Sequence, residues 1–390
     1  MFSDLFAERV KTLRDESAFE MLAKAKRLES QGKEIIHLEI GEPDFLTPRN
    51  IVQAGIDALN DGYTRYSQVS GMPKLKESIA EYVKRYKKVY TEPDEILVVP
   101  GGKPIIFYTI FALVNEGDEV ICPNPGFPIY ENVIRFAGGI PVYLDIKEET
   151  DFRIDLNDLK KKISSKTKLI IINSPANPTG GVLTLEDIHG IAALIMGKGI
   201  FVLSDEIYDR IYYETKPISI AAIPEMKDYT IILDGFSKTY SMTGWRLGYG
   251  VMQKELADKV SKLLVNSVSC TASFVQIAGK AALDGLQDYV ERMVAEYGKR
   301  RNMLVQGLNS IKGFRCTMPQ GAFYAFPNIK GLGMTSNQAA DYLLEKAGVA
   351  VLSGTAFGSS GEGYIRLSYA NSMENLEKAL GWIDKAVRAL

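Results

Sequence analysis

Residues 230–251 read TIILDGFSKTYSMTGWRLGYGV: an apolar run, a polar and turn-rich stretch carrying Lys238, then a second apolar run. A short apolar run without alternation suits a strand buried on both faces. Working upstream, the same kind of run recurs as EILVVP (95–100), DEVICP (118–123), IPVYLD (140–145), KLIIIN (168–173) and IFVLSDE (200–206). Helix-length amphipathic segments lie between them, from Lys103, after Phe127 and from Leu185. Apolar strands alternating with helices predict the α/β class, with a mostly parallel sheet flanked by helices on both faces. Several runs end in polar or glycine residues, at Gly101-Gly102, Asn173, Ser204-Asp205 and Asp234. In open α/β sheets ligands bind just beyond the carboxyl ends of the strands, so the chemistry is expected there.

Toward the ends of the chain the pattern changes. Residues 16–31 read as a helix, EIIHLEI as a short strand, and the Gly41, Pro43 and Asp44 cluster as a loop; Thr47-Pro48 is a helix start, with Thr47 as the cap. A long amphipathic helix is expected from Asp288 to Ser310. FRCTM (314–318), GAFYAF, a helix near 336–347, VAVL, YIRLSYA and a terminal helix from Met373 follow. The expected organisation is an N-terminal segment, 1–45, joining a small α+β domain at 288–390, with a large domain at 46–287 between them.

The chain has 390 residues, 46% hydrophobic and 24% charged, which is globular rather than disordered composition. Its net charge of −2 leaves no surplus to hold nucleic acid by its phosphates. The three cysteines, Cys122, Cys270 and Cys316, form no CxxC pair, and with only His37 and His189 beside them no metal site is expected. The longest apolar run, Ile105 to Val114, is about half of the ~20 residues a membrane helix needs. The N-terminal MFSDLFAERVKTLRDES is charged and amphipathic and has no apolar signal core. A cytoplasmic protein without nucleic-acid or membrane partners is expected.

Six elements bear chemistry, and each has a plain structural reading beside the functional one. Lys238 is either a solvated surface lysine or, with Arg246 and the small residues Gly244 and Gly248 nearby, part of a site for a phosphate-bearing aldehyde. Asp205 directly follows a buried strand, where a carboxylate caps a helix, forms an ion pair, or faces the protonated pyridine nitrogen of pyridoxal 5′-phosphate. Tyr208, three residues on, is a core tyrosine or a partner for the phenolic oxygen of that cofactor. Asn177, held by flanking prolines in NSPANPTG, is a turn residue or an amide offered to the cofactor or to a substrate carboxylate. Gly101 and Gly102 end a strand and open a helix, whose N-terminus can hold a phosphate. Phe127 is a core aromatic or a stacking face. Arg366, alone among apolar residues in YIRLSYA, needs a carboxylate partner, either within the chain or on an amino-acid substrate.

In this order NSPANPTG, SDEIYDR, SKTYSMTGWRLGYG and YIRLSYA resemble the class I aminotransferases of PLP fold type I, most closely the bacterial and archaeal branch with aspartate and aromatic aminotransferases. The resemblance runs from LEIGEPDF to the terminal helix. It implies that Lys238 is the Schiff-base lysine and catalytic base, that Asp205 binds the pyridinium nitrogen, and that Tyr208 and Asn177 bond the phenolic oxygen. It also implies that Arg246 and the backbone after Gly101 hold the phosphate, that Phe127 stacks on the ring, and that Arg366 clamps the α-carboxylate with Gly41 lining the same end. Tyr66 matches a tyrosine reaching the neighbouring subunit's phosphate, which implies a homodimer with shared sites.

Two positions depart from the family pattern. Many relatives carry Ser three residues before the lysine, where this chain has Gly235, and Ser237 is the hydroxyl available to compensate. Aspartate-specific relatives pair a lysine like Lys103 with a Ser-x-Thr; here Ser17 is present but Phe19 replaces the threonine, which leaves acidic, aromatic and aliphatic donors open. The implied reaction is ping-pong transfer from an L-amino acid to a 2-oxo acid, 2-oxoglutarate being the expected acceptor. The same residues also serve lyases and synthases of this fold, such as C–S lyases. A non-enzymatic PLP-binding regulator is a further alternative; it needs a DNA-binding domain, and only about 30 residues precede the first strand.

Overall fold

The computed structural model describes residues 6–11, 13 and 17–390; residues 1–5, 12 and 14–16, all within the amphipathic N-terminal stretch, lie outside the described residues. In chain order the strands are β1 (Ile36–His37), β2 (Ile96–Val99), β3 (Glu119–Asn124), β4 (Ile140–Asp145), β5 (Thr167–Asn173) and β6 (Phe201–Asp205). They continue with β7 (Thr230–Gly235), β8 (Gly248–Val251), β9 (Tyr324–Ala325), β10 (Val349–Ala350), β11 (Leu352–Ser353) and β12 (Ile365–Ser368).

Seven of these form one sheet in the order β2-β8-β7-β6-β5-β3-β4. All neighbours run parallel except β8, which is antiparallel to both β2 and β7. The apolar runs explain the layering. Along β2, Leu97 and Val99 pack on one face with the helices Lys103–Leu113, Ile129–Phe136 and Lys254–Ser267. Ile96 and Val98 pack on the other face with the helices Arg49–Asn60, Pro73–Lys87 and Ser273–Asp284. Side chains alternate across a strand, so a run apolar at every position buries both faces.

A second, three-stranded sheet has the order β11-β12-β9, and β1 pairs in parallel with β10, Ile36 opposite Val349. The helix Asp288–Ser310 spans the residues read for it. Its Arg300 Nη1 donates to both oxygens of Asp44, at 2.9 and 2.8 Å, and fixes the loop after β1.

Several local expectations change. The helix expected at 16–31 is described over Ser17–Glu29 and ends two residues early, with Glu16 outside the described residues. Thr47 does not cap the helix Arg49–Asn60, which follows Pro48 without a side-chain cap. Its hydroxyl donates to Ser241 O at 2.6 Å and accepts from Trp245 Nε1 at 3.1 Å, so tertiary partners displace the local one. FRCTM forms no strand; Arg315 makes only an isolated bridge to Asn328. The helix expected near 336–347 is α-helical over Ser336–Tyr342 and ends in a π-helical turn, Leu343–Ala347.

Candidate active site

The strand ends converge on a cavity of about 360 Å³ beyond the carboxyl edge of the large sheet, lined by Lys238, Asp205, Tyr208, Asn177, Arg246 and Arg366. That volume lies within the ordinary range for small-molecule sites.

Lys238 lies in the turn after β7, and its ammonium donates to Gly41 O at 2.6 Å. Burial lowers its pKa to about 8; Glu42 pulls the other way, while Arg366, Arg246 and Lys103 add to the depression. An ordinary lysine is almost fully protonated at pH 8, whereas this one is half neutral and therefore nucleophilic.

Asp205 ends β6. Its Oδ2 accepts from the Tyr130 hydroxyl at 2.6 Å, and its Oδ1 accepts from the Ile207 N–H at 3.3 Å. Burial raises its pKa to about 6 against these bonds, so the carboxylate is mostly ionised at neutral pH. A buried carboxylate in that state suits a cationic partner.

The loop after β5 is pinned to the end of β6 by Asn173. Its Nδ2 donates to Asp205 O at 3.0 Å, and its Oδ1 accepts from the Asn177 N–H at 2.8 Å. Asn177 Oδ1 in turn accepts from Arg366 Nη1 at 3.0 Å. Arg366, in β12 of the small sheet, also donates to Glu39 O and lies 4.4 Å from the Tyr324 ring centre and 5.0 Å from that of Phe357. The Tyr324 hydroxyl bonds that of Tyr208 at 2.7 Å. Residues from the large sheet, the small sheet and the segment after β1 thus meet in one network.

Gly101 has φ +82, and a Cβ there would come within 2.2 Å of Arg246 Nη2, so only glycine lets the guanidinium approach this turn. Arg246 itself has φ 55, a strained backbone for a side-chain-bearing residue, and donates to Thr243 O at 2.9 Å. The helix Lys103–Leu113 begins after Gly102 with no side-chain cap. Pro104 has no N–H and the Ile105 N–H donates to Gly102 O at 3.0 Å, so the backbone N–H groups of Gly102 and Lys103, with Arg246 and the Ser237 hydroxyl, form the donor set suited to a phosphate dianion.

Gly41, Gly102, Lys103, Phe127 and Ser237 also line the cavity, with Ser17 and Phe19 at its mouth. The Lys103 ammonium stands 5.4 Å from the Phe127 ring centre. Gly101 is behind Arg246 rather than in the wall, and Gly235 is buried within β7. Tyr66 is outside this cavity, 89% exposed on the surface. A larger cleft of about 600 Å³, beside Tyr86 and Arg210, contains none of these residues.

The sequence does not mark Tyr130, Tyr324 or Phe357 as site residues, and it marks Asn173 only as a polar strand end. Tyr130 lies three residues after Phe127 at the start of a helix, a spacing that places both on one side. Tyr324 looks like any core aromatic in GAFYAF, and only tertiary contact distinguishes it.

The donor set fits pyridoxal 5′-phosphate: an amine of lowered pKa, an ionised buried carboxylate, and a guanidinium, Arg246, whose place a Cβ at Gly101 would take. The sequence profile of the family described as aminotransferase class I and II matches residues 33–383. An aspartate aminotransferase from Bacillus sp. (strain YM-2) is 40% identical, covering 99% of this chain and 100% of that protein. Among solved structures, an aromatic aminotransferase from Pyrococcus horikoshii superposes with TM-score 0.90 at 38% identity, covering 94% of this chain and 99% of that one. An aspartate aminotransferase from Thermus thermophilus with maleate gives TM-score 0.94 at 34% identity, over 98% and 99% of the two chains.

Proposed function

The chain belongs to the class I and II aminotransferases, and on that premise we propose that it exchanges an amino group between an acidic L-amino acid and 2-oxoglutarate at Lys238. It is a pyridoxal-phosphate-dependent transaminase acting on amino acids and 2-oxo acids. The observation that carries the site assignment is that Lys238, Asp205 and Arg366, from three separate parts of the chain, line one cavity.

Pyridoxal 5′-phosphate, when bound, supplies an aldehyde that captures the amine and a cationic ring that draws electrons from the substrate Cα. Lys238 would anchor it through its amine, and the same amine would carry the proton taken from the substrate Cα. Asp205, buried and ionised, would pair with the ring nitrogen and favour its protonated form. Tyr208 and Asn177 would bond the phenolic oxygen, and Phe127 would cover the ring. Arg246, Ser237 and the N–H groups of Gly102 and Lys103 would hold the phosphate. Arg366, oriented by Asn177, binds the α-carboxylate. Both acids use the same cavity in turn, which requires ping-pong kinetics.

An acidic donor is supported by Lys103, a second cation lining the cavity with Arg366, and by relatives named aspartate aminotransferase. Phe127, Tyr324 and Phe357 in the same wall favour an aromatic donor as the second reading. A panel of Asp, Glu, Ala, Phe, Tyr and Leu, read by bleaching of the cofactor absorbance and by glutamate formed from 2-oxoglutarate, decides between them. Release of ammonia and pyruvate without amino transfer would instead identify a lyase.

The proposal extends to the assembly. Tyr66, exposed on the isolated chain, supports a homodimer in which it reaches the partner's phosphate. The pairing of β1 with β10 supports 1–45 and 288–390 as one small domain beside a large domain at 46–287. The three free thiols suit a reducing, cytoplasmic location. Among the described residues no helix is long and apolar enough to cross a membrane.

A further inference from the structure

Directly behind the site lies a buried ionic cluster that touches none of the cavity. Lys87, the last residue of the helix Pro73–Lys87, has a side chain only 2% exposed. Its ammonium reaches Glu206 at 2.9 Å, Asp234 at 2.9 Å, and Asp209. Three carboxylates thus converge on one cation.

Their places in the chain are the informative point. Glu206 follows Asp205, Asp209 follows Tyr208, and Asp234 precedes Lys238 by four residues in LDGFSK. At a strand end successive side chains point to opposite sides, so Asp205 faces the cavity while Glu206 faces Lys87. The backbone closes the same link, because the Glu206 N–H donates to Leu233 O at 2.8 Å, joining the ends of β6 and β7 beside the cluster. Glu206 also accepts from Ser204 and Ser219, and Asp234 accepts from Tyr249.

We propose that Lys87 is a positioning residue for the active site: by gathering Glu206, Asp209 and Asp234 it fixes the strand ends that present Asp205, Tyr208 and Lys238, and it shields Asp205 from the Glu206 charge. This rests on the assignment of Asp205 to the cofactor ring nitrogen. Around Asp205 they are Tyr130 from the helix Ile129–Phe136, Tyr208, Glu206, and Lys238 from the turn after β7. Around the cluster they are Tyr82 from the Lys87 helix, Arg210, Tyr240, and Tyr249 from β8. Lys87 is held charged despite its burial, because Asp209, Asp234 and Glu206 together outweigh the desolvation. Without it, three carboxylates would share a buried space with no ammonium among them, and the Glu206 charge would bear on Asp205 unopposed.

The test measures the dissociation constant of pyridoxal 5′-phosphate from the full-length ligand-free chain between pH 5 and 9, by quenching of protein fluorescence. Affinity of the unaltered protein is expected to fall on the acid side, with a midpoint near 6 where Asp205 takes up a proton. Lys87→Met is expected to raise that midpoint by about half a unit or more, as a cation is lost near the carboxylate. Lys87→Arg should restore most of it, and Glu206→Gln should lower it. A folded Lys87→Met protein with an unmoved midpoint overturns the proposal. Should Lys87→Met not fold, Glu206→Gln decides alone, and no downward displacement overturns it. Absence of an acid limb in the unaltered protein would overturn the Asp205 assignment itself, which distinguishes the two failures.

Discussion

Arg366 Nη1 donates to Asn177 Oδ1 at 3.0 Å, joining a strand of the small sheet to the loop after β5 although 189 residues separate the two in sequence. The bond holds the guanidinium fork in the cavity wall before any carboxylate arrives. Arg366→Ala should therefore raise KM for amino acids and lower kcat/KM by about 100-fold or more, as expected when one partner of a buried charge pair is removed. The dissociation constant of pyridoxal 5′-phosphate should change little. Equal losses in both measurements would contradict a role confined to the substrate.

Lys238 gives three expectations. Lys238→Ala should reduce transamination by on the order of 10⁴-fold, since anchor and proton carrier disappear together. In the ligand-free chain the rate of covalent capture of pyridoxal 5′-phosphate should climb with pH through about 8 and level off above it, following the neutral amine. The stability sign is the reverse of the usual lysine case. Between about 8 and 10.5 the unfolded chain holds a proton that the folded chain has released, so this group adds stability as pH rises through that window. Stopped-flow absorbance checks the capture rate and urea titrations across the same pH range check the stability sign.

Gly41 and Tyr324 form a steric pair. A Cβ on Gly41 would come within 2.3 Å of the Tyr324 hydroxyl oxygen but 3.2 Å from the ring carbon bearing it. Gly41→Ala should thus cost about 1–3 kcal/mol of stability by overpacking and disturb the Tyr208–Tyr324 bond. Tyr324→Phe alone should cost about 1 kcal/mol through that lost bond. The double variant should be more stable than Gly41→Ala, a non-additivity visible in urea midpoints.

His37 is held between Glu39 at 2.7 Å and Glu29 at 3.1 Å. The Glu39 bond is the main reason its pKa rises from 6.5 to about 9, with burial opposing and Glu29 assisting. Its stabilisation is complete below pH 6.5 and is lost as pH climbs through 9. His37→Asn should lower the unfolding midpoint at pH 6 and leave it nearly unchanged at pH 10.

The large sheet was legible because its strands carry their own signal. ILVV and KLIIIN are apolar at nearly every position, and that happens only where both faces are covered. The helix Pro73–Lys87 was not placed from sequence. Its apolar stripe at Leu75, Ile79, Tyr82 and Val83 is diluted by charges, one of which, Lys87, is buried against partners more than a hundred residues away. The site shows the same division. Lys238, Asp205 and Asn177 stand at strand ends, where local pattern marks them. Tyr130 and Tyr324 matter because of what they touch, and touching is a property of the fold. Thr47 shows the converse error, a sound local cap signal spent on Ser241 and Trp245 instead.

The parallel pairing of Ile36 with Val349 has a consequence for how the chain is made. A strand written in the first tenth of the sequence waits for a partner in the last eighth, and Arg366 arrives later still. On the ribosome the large sheet can assemble while synthesis continues, but the substrate-binding wall closes only when nearly the whole chain has emerged. Until then the nascent protein can have the cofactor pocket without the clamp that selects what enters it.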